Sequence, residues 1–118
     1  MVKTIKDLEN SAMKFANDRK WGKYHKTKDL AIGIVTEGTE LLELFRFKSD
    51  KEIKEMLKNP KKREMIEDEL ADTFTFLLMF SGRNKIDLEK AFYNKQKKAA
   101  IKYPVEKYNG FWEKPGRE

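Results

Sequence analysis

Two pairs of acidic residues stand at helical spacing inside otherwise apolar stretches of this sequence. Glu37 and Glu40 lie in AIGIVTEGTELLELF, and Glu69 and Asp72 lie in DELADTFTFLLMF. Residues three apart share one face of a helix, so each pair would present two neighbouring carboxylates. Both pairs fall beside an apolar stripe, where burying an unpaired carboxylate costs several kcal/mol. Either lysine and arginine side chains or a divalent cation must therefore compensate these charges.

A divalent cation is favoured because few basic residues share the faces of the two pairs. A chain folded as a helical hairpin would bring the pairs together, and ligands that are all carboxylate oxygens favour Mg²⁺ or Mn²⁺ over Zn²⁺. One such pair is weak evidence in a chain with so many charged residues, since Glu52 and Glu55 form another. Two pairs beside apolar stripes favour a metal site. Glu40 is the candidate general base for activating a water molecule.

Capping and periodicity signals predict the elements that would position these carboxylates. The expected elements are a helix from Thr4 to about Arg19, a loop over 21–28, a helix to about Phe47, a short segment over 50–58, a helix over 62–81 ended by Gly82, and a helix from Asp87 to about Tyr103. No strand-period alternation interrupts them. The prediction is an all-α antiparallel bundle of four main helices plus a short helical segment. Residues 1–118 would form a single domain, with 105–118 as an extended C-terminal tail.

Composition limits the functional class. Hydrophobic and charged residues each make up 39% of the 118 residues, which is typical of a folded chain and not of a membrane protein. The net charge of +6 favours an anionic ligand. Cysteine is absent, so disulfides and thiolate metal sites are excluded. The N-terminal residues lack the apolar core of a signal peptide, and we expect a cytoplasmic protein without membrane association.

Three segments resemble one enzyme family in the same order along the chain. They are FANDRKWGKYHKTKDLAIGIVTEGTELLELFRFK from Phe15 to Lys48, the later DELADTFTFLL, and KYPVE from Lys102 to Glu106. Together they are similar to the MazG-like nucleotide pyrophosphohydrolases, especially the dCTP pyrophosphatase branch. The resemblance implies an all-α bundle that assembles as a homodimer or homotetramer. It also implies Mg²⁺-dependent cleavage of a (d)NTP to a (d)NMP and pyrophosphate, with Mn²⁺ as a substitute ion and a role in controlling the nucleotide pool.

The resemblance also assigns roles by position. The implied metal ligands are Glu37, Glu40, Glu69 and Asp72. Trp21 would stack on the base, and the other implied substrate-binding residues are His25, Lys28, Phe47 and Lys95. Two positions depart from the family pattern, because Phe47 stands where Trp is usual and Ala99 stands where the dCTP branch has Asn. Without an amide that could bond a base edge, a preference for cytosine is in doubt.

Two other classes of function compete with this hypothesis. The positive charge and the lysine-rich last helix would also suit a non-enzymatic helical protein that binds nucleic acid. That charge is spread along the chain, however, and no nucleic-acid-binding motif stands out, so a nucleic-acid partner is disfavoured. A bundle serving protein association, with its acidic ridge against a basic partner, is the third interpretation.

Overall fold

The computed structural model describes residues 3–110, which divide into two compact units, one ending at Lys85 and the other beginning at Ile86. Their helices are α1 (Ile5–Asp18), a 3₁₀ helix (Trp21–Lys23), α2 (Thr27–Phe45), α3 (Asp50–Lys58), α4 (Pro60–Arg83), α5 (Leu88–Lys102) and α6 (Val105–Tyr108). No strand occurs within residues 3–110, so the predicted all-α class is confirmed. None of these helices combines the length and the apolar run needed to cross a bilayer.

Side-chain caps explain where several helices begin. At the start of α1, the Asp7 backbone N–H donates to Thr4 Oγ1 at 3.1 Å, and the Thr4 N–H donates to Asp7 Oδ2 at 3.0 Å. Ser49 and Glu52 make the same reciprocal pair of bonds at the start of α3. Each pair satisfies backbone donors that the first helical turn leaves without partners. Both starts agree with the sequence prediction.

The long helix α4 extends beyond its predicted limits of 62–81 at both ends. Asn59 separates it from α3 and caps it, because Asn59 Oδ1 accepts the Lys62 N–H at 3.1 Å. Pro60 occupies the first helical position, where its fixed φ suits a helix and its missing N–H is not needed. The helix then passes through Gly82, which was wrongly predicted to end it, and stops at Arg83.

Gly82 allows α1 to approach α4 closely. A Cβ built at Gly82 would lie 2.7 Å from Cγ of Met13 on α1, so a larger residue would push the two helices apart. One residue earlier, the buried Ser81 hydroxyl donates to Oε2 of the buried Glu9 at 2.8 Å. The Lys6 ammonium donates to the other oxygen of Glu9, also at 2.8 Å. These contacts hold α1 against the C-terminal part of α4.

Helices α2 and α4 run antiparallel in the first unit. Leu30 near the start of α2 joins Met79 near the end of α4 in the buried core cluster, together with Ala16 of α1. Further along α2, Glu37 and Glu40 meet Glu69, which lies earlier on α4. As the chain number rises on α2, the facing number on α4 therefore falls. This pairing is the predicted hairpin arrangement.

The second unit begins with a capped helix. Asp87 Oδ1 accepts the Lys90 N–H at 2.9 Å at the start of α5, as predicted. Helix α5 ends at Lys102, and the short α6 follows Pro104, with the rings of Tyr103 and Tyr108 meeting edge to face at 5.2 Å between centroids. The tail predicted for 105–118 thus begins with one helical turn, and residues 111–118 lie outside the described range.

Candidate active site

Three carboxylates converge between α2 and α4. One oxygen each of Glu37, Glu40 and Glu69 can be chosen so that all lie within 4.8 Å of one another. Glu37 and Glu69 are half-buried, whereas Glu40 is exposed. Asp72 is also exposed, yet it lies near enough for its charge to act on both Glu37 and Glu69. We call these four residues the carboxylate cluster.

Nothing basic neutralises the cluster within residues 3–110. The ion pairs in that range join Lys6 to Glu9, Lys14 to Asp18, Arg46 to Glu43, and Arg63 to Glu67. The buried Oε2 atoms of Glu37 and Glu69 have no hydrogen-bond partner among the described residues. Of the two compensations that the sequence allows, the one made by lysine or arginine is therefore not found between residues 3 and 110. A cluster whose donors are all carboxylate oxygens, and in which two members have a buried oxygen without a partner, fits a divalent cation.

The pKa values of two cluster members are displaced upward. Burial raises the pKa of Glu37 from 4.5 to about 7, and the neighbouring Glu40, Asp72 and Glu69 add to the rise. Burial also raises the pKa of Glu69, again with help from the charges of Glu40 and Asp72. Both effects disfavour the ionised carboxylate in the chain alone. A bound cation would act in the opposite direction, because it favours the ionised form.

The residues before α2 form a cationic aromatic loop, comprising residues 19–28. Trp21 and His25 meet edge to face with 5.7 Å between ring centroids, and Phe15 of α1 lies 5.7 Å from Trp21 on another side. The Arg19 guanidinium carbon lies 3.5 Å above the Phe15 ring centroid. Trp21 remains 37% exposed, so part of its ring is available to a ligand.

This loop is also rich in positive charge. Five of its ten residues are cations, and none takes part in an ion pair within the described part of the chain. They are Arg19, Lys20, Lys23, Lys26 and Lys28. Lys28, predicted to bind substrate, is exposed in the first turn of α2. A loop with an accessible indole and unpaired cations suits a ligand that has both a base and phosphates.

The contacts of the first unit do not test the substrate-binding roles predicted for Phe47 and Lys95. Helix α2 ends at Phe45, two residues before its predicted end, and Phe47 then has a φ of 64° and is 92% exposed. A left-handed conformation is strained for a bulky residue, and such strain is common at ligand-binding positions. Lys95 is exposed on α5, in the second unit. Their substrate-binding roles remain predictions.

Phe76 and Gly33 were missed as site residues by the sequence analysis, which placed Phe76 only in an apolar stripe. The Phe76 ring meets His25 edge to face at 6.0 Å between centroids. A Cβ built at Gly33 would lie 2.5 Å from that same ring. The available signal was a glycine inside a helical pattern, which indicates a close approach by another group.

An all-α fold with facing carboxylate pairs defines a helical protein that has a candidate site for a divalent cation. The model of the MazG-like family matches residues 32–116, more than half of the chain. The chain belongs to the MazG-like family, as the resemblance predicted.

Individual relatives agree with this assignment. The chain is 33% identical over 102 residues to dCTP pyrophosphatase 1 of Rattus norvegicus and 31% identical to that of Homo sapiens. Each alignment covers 86% of this chain, which spans about 60% of the length of these relatives. A crystal structure of a pyrophosphatase from Archaeoglobus fulgidus superposes with a TM-score of 0.78 at 32% identity, covering 88% of this chain and 95% of that one.

Proposed function

We propose that this chain is a Mg²⁺-dependent nucleoside triphosphate pyrophosphohydrolase that releases a nucleoside monophosphate and pyrophosphate. The observation that carries the proposal is the convergence of Glu37, Glu40 and Glu69, two of which each have a buried oxygen without a hydrogen-bond partner in the described part of the chain. The names of the relatives, dCTP pyrophosphatase and pyrophosphatase, support the same chemistry. The cofactor is Mg²⁺, with Mn²⁺ as a substitute, because every candidate ligand is a carboxylate oxygen.

Each residue of the site has a role in this proposal. Glu37, Glu40, Glu69 and Asp72 would hold the ion, which supplies charge neutralisation at the phosphate oxygens and lowers the pKa of a nearby water. Glu40 is exposed and would accept the proton of that water as it attacks the α phosphorus. The general-base assignment rests on this exposure and on its place in the cluster.

The cationic aromatic loop would bind the rest of the nucleotide. Trp21 would stack on the base beside His25, and Lys28, with the other unpaired cations of the loop, would contact phosphate oxygens. Lys95 and Phe47 complete the proposed substrate-binding set on the family resemblance alone. The identity of the base is not assigned, because Ala99 and Phe47 depart from the dCTP pattern.

The cluster also favours this function over nucleic-acid binding. Three converging carboxylates repel a phosphate backbone unless a cation lies between them, so a surface that only binds nucleic acid would not be expected to bring them together. Exposed apolar side chains on α2 and α4 support the expected homodimer or homotetramer. These include Ile32, Val35, Leu42, Met65, Leu70 and Phe74. Light scattering after size exclusion measures the oligomer, and a monomer would contradict that expectation. A cytoplasmic location stays a prediction from the sequence.

Product analysis in isotopically labelled water tests the reaction. Purified protein is incubated with a panel of ribo- and deoxynucleoside triphosphates plus Mg²⁺ in H₂¹⁸O. The products are separated by ion exchange, and their masses are measured by mass spectrometry. Attack at the α phosphorus places ¹⁸O in the monophosphate and leaves the pyrophosphate unlabelled. Orthophosphate and a nucleoside diphosphate as first products would reject the proposal, as would ¹⁸O in pyrophosphate. Glu37→Gln removes a proposed metal ligand and should lose most of this activity. Glu43→Gln is its matched control, because Glu43 lies on the same helix and pairs with Arg46 instead of joining the cluster.

A further inference from the structure

The ring of Phe76 on α4 is seated directly against the backbone of α2 at Gly33. A Cβ at Gly33 would lie 2.5 Å from both Cδ1 and Cε1 of Phe76 and 2.9 Å from its Cγ. No side chain fits there unless the ring moves. Glycine weakens a helix interior relative to alanine, so its presence at this point is matched to the close approach of the ring.

Phe76 in turn contacts the cationic aromatic loop. Its ring meets His25 at 6.0 Å with an interplanar angle of 67°, and His25 meets Trp21 at 5.7 Å and 70°. These edge-to-face geometries are the favoured ones for aromatic pairs. Phe76, His25 and Trp21 therefore form a continuous series of rings, the aromatic row, which begins on α4 and ends at the partly exposed indole.

The aromatic row starts from the same helix pair that carries the carboxylate cluster. Gly33 lies one helical turn before Glu37 on α2, and Phe76 lies one turn after Asp72 on α4. The loop is also tied to the end of α4, where the Thr27 hydroxyl donates to Asn84 Oδ1 at 2.9 Å. That bond joins two side chains, and Phe15 of α1 also contacts the Trp21 ring. Phe76 is the residue of α4 whose ring contacts His25, and through His25 it reaches the proposed base platform.

We propose that Phe76, seated against Gly33, is a positioning residue that sets the distance of Trp21 from the carboxylate cluster and thereby the KM for the nucleotide. This inference rests on the proposed function, since it assigns the base to Trp21 and the phosphates to the cluster. The role assigned to Phe76 requires no contact with the nucleotide. Its effect is transmitted through the His25 ring.

The test compares two glycine-to-alanine substitutions on α2. Gly33→Ala forces the Phe76 ring to shift, whereas a Cβ at Gly38 meets nothing within 4 Å. Both substitutions add the same helix propensity, so the difference between them isolates the contact with Phe76.

Two spectroscopic signals report the packing of the aromatic row and can be measured without nucleotide or metal. His25 is the only histidine, so the protein gives one imidazole Hε1 resonance, which the rings of Trp21 and Phe76 displace. The chain has two tryptophans, so a Trp112→Phe background leaves the emission of Trp21 alone.

We expect Gly33→Ala to move the His25 resonance and the Trp21 emission, while Gly38→Ala leaves both where they are in the parent. KM for the best substrate should rise roughly fivefold to tenfold in Gly33→Ala, the lower range for losing base stacking, with kcat retained. Signals in Gly33→Ala that match those of Gly38→Ala would overturn the proposal. Moved signals with an unchanged KM would overturn it too, as would a fall in kcat alone.

A second pair of variants covers the case in which Gly33→Ala does not fold. Phe76→Leu keeps the glycine and removes the ring, so it should move the His25 resonance and raise KM by a similar factor. Gly33→Ala combined with Phe76→Leu makes room for the new methyl group and should melt higher than Gly33→Ala alone. An unmoved His25 resonance in Phe76→Leu would refute the positioning role. If the parent hydrolyses no nucleotide, the proposed function fails and the claim on KM with it, whereas the two signals still decide whether Phe76 positions the loop.

Discussion

Replacing Glu37 by glutamine should have opposite effects on stability with and without Mg²⁺. In the metal-free protein, burial raises the pKa of Glu37 from 4.5 to about 7, which means that the folded state disfavours the ionised side chain. A rise of that size corresponds to at most about 3.5 kcal/mol at a pH above both values. Solvent screening around this half-buried side chain reduces the figure to roughly 1–2 kcal/mol. Glutamine carries no charge and avoids this cost.

The expected change in melting temperature is measurable. For a chain of this length, each 1 kcal/mol shifts Tm by roughly 3–5 °C. With EDTA at pH 8, the Tm of Glu37→Gln should therefore be at least that of the parent and up to several degrees higher. With Mg²⁺ at about 100 times its Kd, the parent gains about 2.7 kcal/mol, whereas the variant has lost a ligand. The order of the two melting temperatures then reverses.

The pH dependence gives an independent check with a definite sign. Below pH 4.5 the Glu37 carboxyl is protonated in both the folded and the unfolded chain, so its ionisation costs the fold nothing. Between pH 4.5 and about 7 the unfolded chain releases this proton first, so the stability of the metal-free parent falls as pH rises. Above about 7 the full cost is present. The difference in Tm between Glu37→Gln and the parent should grow over this window.

Thermal melts test whether Glu37 is a metal ligand. The parent, Glu37→Gln and Glu43→Gln are each melted with EDTA and with Mg²⁺ at one fixed protein concentration. Glu43 pairs with Arg46 on the exposed side of α2, so Glu43→Gln should change Tm little and respond to Mg²⁺ as the parent does. If Glu37 were instead the partner of a buried cation, Glu37→Gln would lose about 3–5 kcal/mol with or without metal. A large loss independent of metal would refute the metal-site argument.

Other predictions concern activity. Hydrolysis should stop in EDTA and return with Mg²⁺ or Mn²⁺, as followed by pyrophosphate release; activity that persists in EDTA would exclude the carboxylate cluster as a metal site. Trp21→Ala should raise KM by about tenfold to a hundredfold through loss of base stacking, while Tyr24→Ala, which removes another exposed aromatic of the same loop, should leave KM near the parent value. Ala99→Asn restores an amide and should shift kcat/KM toward cytosine nucleotides; an identical base profile for parent and variant would remove position 99 from the determinants of specificity.

Local signals predicted most of the fold, because capping chemistry acts between residues only a few positions apart. Thr4, Ser49 and Asp87 each accept a backbone N–H three residues later, so their side chains could be recognised in the sequence. The end of α4 was predicted wrongly because it depends on a contact that is not local in the sequence. Gly82 is a common helix terminator, but here it serves contact with Met13, which is far away in the sequence.

The candidate site likewise has a part that local sequence signals predict and a part that they do not. The carboxylate pairs could be predicted, since two helices joined as a hairpin must place equivalent faces together, and an acidic residue beside an apolar stripe already indicates a compensating partner. The contact of the Phe76 ring with Gly33 could not be predicted, because it depends on the register of α2 against α4 to within one residue. A shift of one position along either helix would turn the ring away from His25 while leaving both carboxylate pairs near the helix interface. In this structure one register brings Glu37 and Glu40 to Glu69 and Phe76 to Gly33, and for that reason an uncharged glycine one helical turn before Glu37 belongs to the physical description of the site.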